Sequence, residues 1–264
     1  MKILLVACFV AISLFVLRNT SGQEFVNLDF NSAQLSAYGA GPVFVPTSNA
    51  IPGWTGYLGT NLQTAVLYNS ETAGDGNLSI IGTNSPQSYL TPIPGNKYTV
   101  VLEAGFNPNG SSPYSVNASI AQTGLIPATA ESILFTASIP APSVAGFQVS
   151  IAGQVIPVIE ISSIDGYYAM YGGNVSAFAG QVAELEFTDL AATESTEGTL
   201  ELDAISFSAS PIPEPSAWSL FSICALCIWL WARPNQSPEP SAIAALGSAT
   251  RSTPQTGCGS GHGR

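Results

Sequence analysis

The chain has 264 residues, with 17 acidic and 6 basic side chains, a formal net charge of −11 and 4 cysteines. Between Gln23 and Ser210 one lysine, Lys97, stands against fifteen Asp and Glu, and this region holds no Arg, His or Cys. Such an acidic surface repels phosphate backbones and argues against nucleic acid. The missing residue types exclude Ser-His-Asp and Cys-His catalysis and disulfide stapling within that region.

Met1-Lys2 precedes an apolar run from Ile3 to Leu17, then Arg18 and small polar residues ending Thr20-Ser21-Gly22. This is the pattern of a secretory signal peptide, with cleavage expected near Gly22. The run is short for a membrane span. Leu5-Val6-Ala7-Cys8 imitates a lipoprotein box, but Cys8 comes before the apolar core is complete. Segment 23–210 is then a domain of roughly 190 residues, large enough to bury about 70% of its unfolded surface without disulfides.

Within it the apolar residues alternate. Tyr98, Val100, Leu102, Ala104 and Phe106 share one side of a strand, with Thr99, Val101 and Glu103 on the other. Phe147, Val149 and Ile151 alternate likewise, and Gly153-Gln154 turns the chain into the run Val155 to Ile161. Ala183, Leu185 and Phe187 oppose Glu184, Glu186 and Thr188; Leu200 and Leu202 oppose Glu201 and Asp203. A one-residue shift at Ala204, before Ile205 and Phe207, predicts a bulge.

Weaker strands are expected over Phe25 to Phe30, Ala65 to Tyr68, Leu78 to Ile81, Val116 to Ala121 and Tyr167 to Tyr171, and a helix only over Ala128 to Leu134. Turn signals such as Ile51-Pro52-Gly53, Pro94-Gly95-Asn96 and Gly172-Gly173 punctuate the series. The expectation is an all-β jelly-roll β-sandwich, flanked by an N-terminal signal-peptide helix and one C-terminal transmembrane helix.

Past Ser210 the character changes. Pro213-Glu214-Pro215-Ser216 leads into an apolar run from Ala217 to Ala232, closed by Arg233. A helix of that run would be about 24 Å long, short for a ~30 Å hydrocarbon core and suited to a transient anchor. Trp218, Trp229 and Trp231 stand near its ends, where interfacial indoles are favoured. Segment 234–264 is rich in Ser, Gly, Pro and Thr and reads as disordered. It repeats the triplet as Pro238-Glu239-Pro240 without a run long enough to span.

Triplet, apolar helix and basic residue at the end of an exported β-rich chain resemble the PEP-CTERM sorting signal of Gram-negative bacteria. The resemblance covers 211–233. It implies that Pro213, Glu214 and Pro215 are a recognition element for the membrane protease exosortase, that Arg233 acts as the stop-transfer residue, and that the domain reaches the cell surface or extracellular matrix. Two features depart from the family pattern: a single basic residue after the helix, and the further tail. Phe25-Val26-Asn27-Leu28-Asp29-Phe30, Ile51-Pro52-Gly53-Trp54 and Leu202-Asp203-Ala204-Ile205-Ser206-Phe207 are similar to galactose-binding-like jelly-roll modules. That likeness implies a structural Ca²⁺ where first and last strands meet, with Asp29 and Asp203 at the matching positions.

Carboxylates are the only titratable catalysts in the domain, and a glycosidase needs two of them with one pKa raised. Those of Glu184, Glu186 and Glu201 lie on the polar side of their strands, where a solvated face is expected. Trp54, with Tyr57 three residues on, is a candidate for stacking on a sugar, though a lone tryptophan after Ile-Pro-Gly is expected first as a core plug. Tyr167, Tyr168 and Tyr171 form a second aromatic cluster. Cys224 and Cys227 fall inside the apolar run and act there as small hydrophobes. These observations together predict an exported, non-enzymatic surface or matrix protein that binds extracellular polysaccharide. The alternatives are a polysaccharide-acting hydrolase with paired carboxylates and a scaffold without ligand.

Overall fold

The computed structural model describes residues 22–72, 74–86, 91–106, 115–138, 146–191 and 198–212. The signal peptide, the triplet Pro213, Glu214 and Pro215, the apolar run, Arg233 and the tail lie outside the described residues. Fifteen strands run through the described part: β1 (Val43–Pro46), β2 (Thr55–Leu58), β3 (Asn61–Gln63), β4 (Ala65–Tyr68), β5 (Asn77–Gly82), β6 (Tyr98–Phe106), β7 (Ser115–Val116), β8 (Ala118–Leu125), β9 (Ser132–Ser138), β10 (Phe147–Ile151), β11 (Gln154–Ile156), β12 (Val158–Ser163), β13 (Tyr168–Asn174), β14 (Val182–Asp189) and β15 (Gly198–Ser208). They form two sheets. The larger has the order β1-β4-β5-β6-β15-β9-β13-β12, with β7 paired to β6; the smaller has the order β11-β10-β14-β8-β2-β3. The pairings are antiparallel except β4 with β5. The result is a β-sandwich.

Period-two alternation puts one apolar row from each sheet inside. Val100 and Leu102 of β6, Ile133, Phe135 and Ala137 of β9, and Leu200 and Leu202 of β15 face Ile120 of β8, Val149 and Ile151 of β10 and Leu185 and Phe187 of β14, all in one core cluster. An aromatic chain crosses this core from Phe30 to Trp54 (5.8 Å between ring centroids), Trp54 to Phe187 (6.3 Å), Phe187 to Phe135 (5.1 Å) and Phe135 to Tyr171 (5.7 Å, stacked). Asp189 ties the sheets together, its Oδ2 accepting from the Ala104 N–H at 2.8 Å.

Several sequence expectations change. The helix expected over Ala128 to Leu134 is a turn at Pro127 to Ala130 followed by β9, because Ile133, Phe135 and Ala137 bury at period two. The α-helical turn lies instead at Thr47–Ala50. Phe25 to Phe30 forms no ladder: Asn27 and Phe30 take left-handed φ values of 53° and 51°, which folds the segment into turns. The run Val155 to Ile161 divides at Pro157, placing β11 in one sheet and β12 in the other. The bulge at Ala204 is present: β15 shifts register against β9 between Asp203 and Ser206, and Ala204 has φ 51°.

Candidate functional site

The outer face of the larger sheet is built from side chains that alternation turns away from the core. Strand register aligns Ser79, Val101, Glu201, Ser138 and Tyr168 in one row across β5, β6, β15, β9 and β13. Asn77, Glu103 and Thr199 form the row on one side of it, and Ile81 and Asp203 belong to the row on the other. Most of this outer face is covered. Thr99, Ser79, Val101 and Asp203 are 0% exposed and Glu103 is 4% exposed. The loop after β4 lies over Glu103, whose Oε2 accepts from the Thr72 N–H (2.8 Å) and hydroxyl (2.6 Å) while Oε1 accepts from the Ser79 hydroxyl (3.3 Å). The loop before β6 lies over Thr99, whose Oγ1 accepts from the Ile93 N–H.

Burial of acids under that cover raises their pKa values. Glu103 rises to about 7 through burial, opposed by the Thr72 and Ser79 hydrogen bonds and reinforced by the charge of Glu71. Burial also takes Glu201 to about 7, against the lowering effect of the Tyr168 hydroxyl, which donates to its Oε2 at 2.6 Å. Glu71, itself raised by burial, feeds charge into both. Glu103 and Glu201 sit diagonally on the same face of neighbouring strands. Such diagonal positions lie roughly 7–8 Å apart, within reach of long side chains.

The face opens at Tyr167, which is 62% exposed. Both Tyr167 and Tyr168 donate their backbone N–H to Asp165 Oδ1 at 2.9 Å, which fixes the turn that presents them. Their rings meet edge to face at 5.1 Å. The Tyr167 hydroxyl pKa is raised by burial, then by the charges of Glu201 and Glu71. An exposed ring and its phenol, with Glu201 fixed on β15, offer a stacking surface with hydrogen-bonding groups alongside.

The residues singled out from sequence fare differently. Trp54 is 4% exposed, with Phe30 and Phe187 against its ring, and its Nε1–H donates to the Asn27 carbonyl at 3.1 Å. It is the core plug and presents no face for a sugar, so the stacking role is corrected. Tyr57 is half-buried on β2, turned away from the core-facing Gly56 and Leu58, and does not join Trp54 on one surface. Tyr171 is buried, stacked on Phe135. Glu201, expected on a solvated face, is under cover. A signal for this was present in Val101 and Ile81, apolar residues that sit among the polar positions of their strands and pack on each other.

Asp29 and Asp203 lie on segments that meet. The Ile205 N–H donates to the Leu28 carbonyl at 3.0 Å, docking the first segment on the β15 bulge. Asp203 is raised to about 7 by burial, with Asp29 adding to the rise. Its Oδ1 accepts from the Ala204 N–H at 2.6 Å and its Oδ2 from the Thr99 hydroxyl at 3.3 Å, while Asp29 accepts from the backbone and side chain of Asn31. These are hard oxygen donors, suited in kind to Ca²⁺, which takes about 6–8 oxygens. No group of three or more Asp, Glu, His or Cys spaced for a metal occurs among the described residues, so carbonyl, amide or water oxygens would have to complete a shell.

No family model matches the chain, and no curated protein matches it. Among solved structures, the chain is similar to the first family-27 carbohydrate-binding module of Caldicellulosiruptor saccharolyticus, solved with mannohexaose, at 17% identity and TM-score 0.35, covering 64% of this chain and 98% of that one. It is similar to the K1 cleaved adhesin domain of Lys-gingipain from Porphyromonas gingivalis W83 at 11% identity and TM-score 0.35, with the same two coverages of 64% and 98%. It is also similar to the enzymatically active domain of bacteriophage CBA120 tailspike protein 4, at 13% identity and TM-score 0.33, over 59% of this chain and only 19% of that one. At these scores the likenesses carry no argument about ligand or activity.

Proposed function

We propose that this chain is an exported, non-enzymatic surface or matrix protein, delivered through a C-terminal PEP-CTERM signal cut by exosortase, whose sandwich is a jelly roll that binds extracellular polysaccharide around Tyr167. The observation that carries the binding reading is Tyr167 itself, a largely exposed ring held by Asp165 at the rim of a covered sheet face, edge to face with Tyr168, whose hydroxyl donates to Glu201. Aromatic rings stack on the apolar faces of pyranoses, and neighbouring acids accept their hydroxyls. The sorting reading is supported by where the fold finishes. The last strand ends at Ser208 and Ile212 still packs on the sheet, and in the sequence the triplet starts at the next residue.

A hydrolase is the second reading, favoured by two carboxyls near pKa 7 on one face. Against it, both oxygens of Glu103 are taken by Thr72 and Ser79, and the side chain is nearly closed to solvent. That environment makes Glu103 a clamp on the loop rather than an acid facing a substrate.

A glycan array on the purified sandwich tests the binding reading. Retention of one or more polysaccharides supports it, no retention leaves the scaffold reading, and turnover abolished by Glu201→Gln establishes the hydrolase. Expression with and without an exosortase tests the sorting reading: loss of mass beyond the triplet should require the protease and fail in Glu214→Ala. For the metal, we assign Asp29 and Asp203 as carboxylate ligands of a structural Ca²⁺. A melting temperature that rises with Ca²⁺ and loses that response in Asp29→Ala supports the assignment, and equal melting with Ca²⁺ and chelator overturns it.

A further inference from the structure

Beyond Tyr168 the outer face of the larger sheet turns apolar. Register pairs Ile159 with Gly172, Ser162 with Met170, and Gly172 with Leu134, and the irregularity between Glu160 and Ser162 leaves Ile161 over the same spot. A Cβ on Gly172 would lie 2.8 Å from Ile161 Cδ1, 2.8 Å from Ile212 Cδ1 and 2.9 Å from Leu134 Cδ2. The glycine thus leaves the room in which those three side chains meet. Ile159, Ile161 and Met170 are exposed around this point, and Ile164 extends the apolar surface past the end of β12. β12 is the edge strand of its sheet.

Ile212 is therefore both a member of this patch and the residue from which the chain leaves the fold. In the sequence the apolar run begins at Ala217, five residues further on. Five residues of extended chain reach at most about 18 Å. On the reading of 217–232 as a membrane span, the linker that joins the patch to the span is no longer than that. The outer face of the smaller sheet, with exposed Glu184, lies across the core from the patch. A short tether from the larger sheet's outer face thus favours turning aliphatic side chains, rather than acids, to the lipid.

We propose that the patch formed by Ile159, Ile161, Met170 and Ile212 is a lipid-contacting surface that seats the anchored precursor on the bilayer before processing. The inference rests on the membrane-span reading and adds the face by which the domain meets the lipid. Residues 98–212 contain no Lys or Arg, and exposed Glu160 and Asp165 lie close by in sequence. Attraction to anionic headgroups is therefore absent, and the contact is hydrophobic and insensitive to salt.

The test places the photoreactive residue p-benzoylphenylalanine at Ile161, at Met170 or, as the opposite-face control, at Glu184 in the full chain reconstituted into phosphatidylcholine vesicles with radiolabelled acyl chains. All three variants should float with the vesicles and resist carbonate extraction. Irradiation should then give about five-fold or more lipid adduct from positions 161 and 170 than from 184, unchanged between low and high salt. Equal lipid labelling from all three positions, or crosslinks from 161 and 170 to a second copy of the chain in place of lipid, would overturn the lipid-facing surface while leaving the span intact. Release of the chain by carbonate would sink the span reading and the proposal with it.

Discussion

Strands β14 and β15 carry almost the same pattern, Ala183-Glu184-Leu185-Glu186-Phe187 in one and Leu200-Glu201-Leu202-Asp203 in the other, and both bury their apolar residues in one core. Their acids end in different surroundings. Glu184 is exposed and Glu186 half-buried on the outer face of the smaller sheet, whereas Glu201 and Asp203 lie beneath loops and tyrosines on the larger one, with pKa values raised to about 7. Alternation separates the two sides of a strand, but it does not say whether the side away from the core is wet. The larger sheet has a second, polar interior on its outer side, and Tyr167 stands at its rim.

The largest consequence of that difference is a reversed dependence of stability on pH. Glu103, Glu201 and Asp189 all have folded pKa values of about 7, above their ordinary values. Between about pH 4 and pH 7 the folded state binds more protons than the unfolded one, so stability from these groups is fully present in acid and is lost as pH rises through 7. For Glu103 the shift from 4.5 to about 7 corresponds to something on the order of 3 kcal/mol. Thermal melts should therefore show a clearly higher melting temperature at pH 5 than at pH 8. A flat profile, or one that rises with pH, would remove the covered-acid description of the larger sheet.

A pair of substitutions sharpens the contrast at single residues. Glu103→Gln keeps an acceptor for Thr72 and removes the buried charge, so it should stabilise by about 1–2 kcal/mol at pH 8 and by little at pH 5. Glu184→Gln, in solvent, should stay within about 0.5 kcal/mol at either pH. Equal responses from the two sites would mean that both faces are solvated. The smaller of the two expected gains in stability is at the bulge. Ala204 holds φ 51°, a conformation that costs an L-residue about 1–2 kcal/mol. Ala204→Gly relieves this but loosens the unfolded chain, leaving a gain of about 0.5–1 kcal/mol in denaturant melts.

Much of the sandwich is legible in the sequence because its strands alternate strictly. Tyr98–Phe106 and Phe147–Ile151 occupy the spans their patterns predict, and the bulge follows from the phase change at Ala204. The errors occur where a different local constraint decides. Pro157 breaks a continuous apolar run between two sheets, left-handed Asn27 and Phe30 turn an alternating segment into a docked coil, and β9 overrides the helical appearance of Ala128 to Leu134. The candidate site is less legible, since it depends on loops folding back over a sheet. Thr72 reaches Glu103 across 31 positions and Tyr168 reaches Glu201 across 33, and neither contact leaves a periodic trace. Trp54 shows the converse: its residue type suggests a ligand platform, but its packing against Phe30 and Phe187 makes it a pillar of the core.

The central proposal is that polysaccharide binds at the rim of the covered face and not around Trp54 and Tyr57. The direct measurement is the affinity of a polysaccharide retained on the array for three proteins: wild type, Tyr167→Ala and Tyr57→Ala. With melting temperatures essentially unchanged, Tyr167→Ala should weaken binding by about tenfold or more, the loss of one stacking ring, and Tyr57→Ala should bind as wild type does. Undiminished binding by Tyr167→Ala, or loss confined to Tyr57→Ala, would contradict the account.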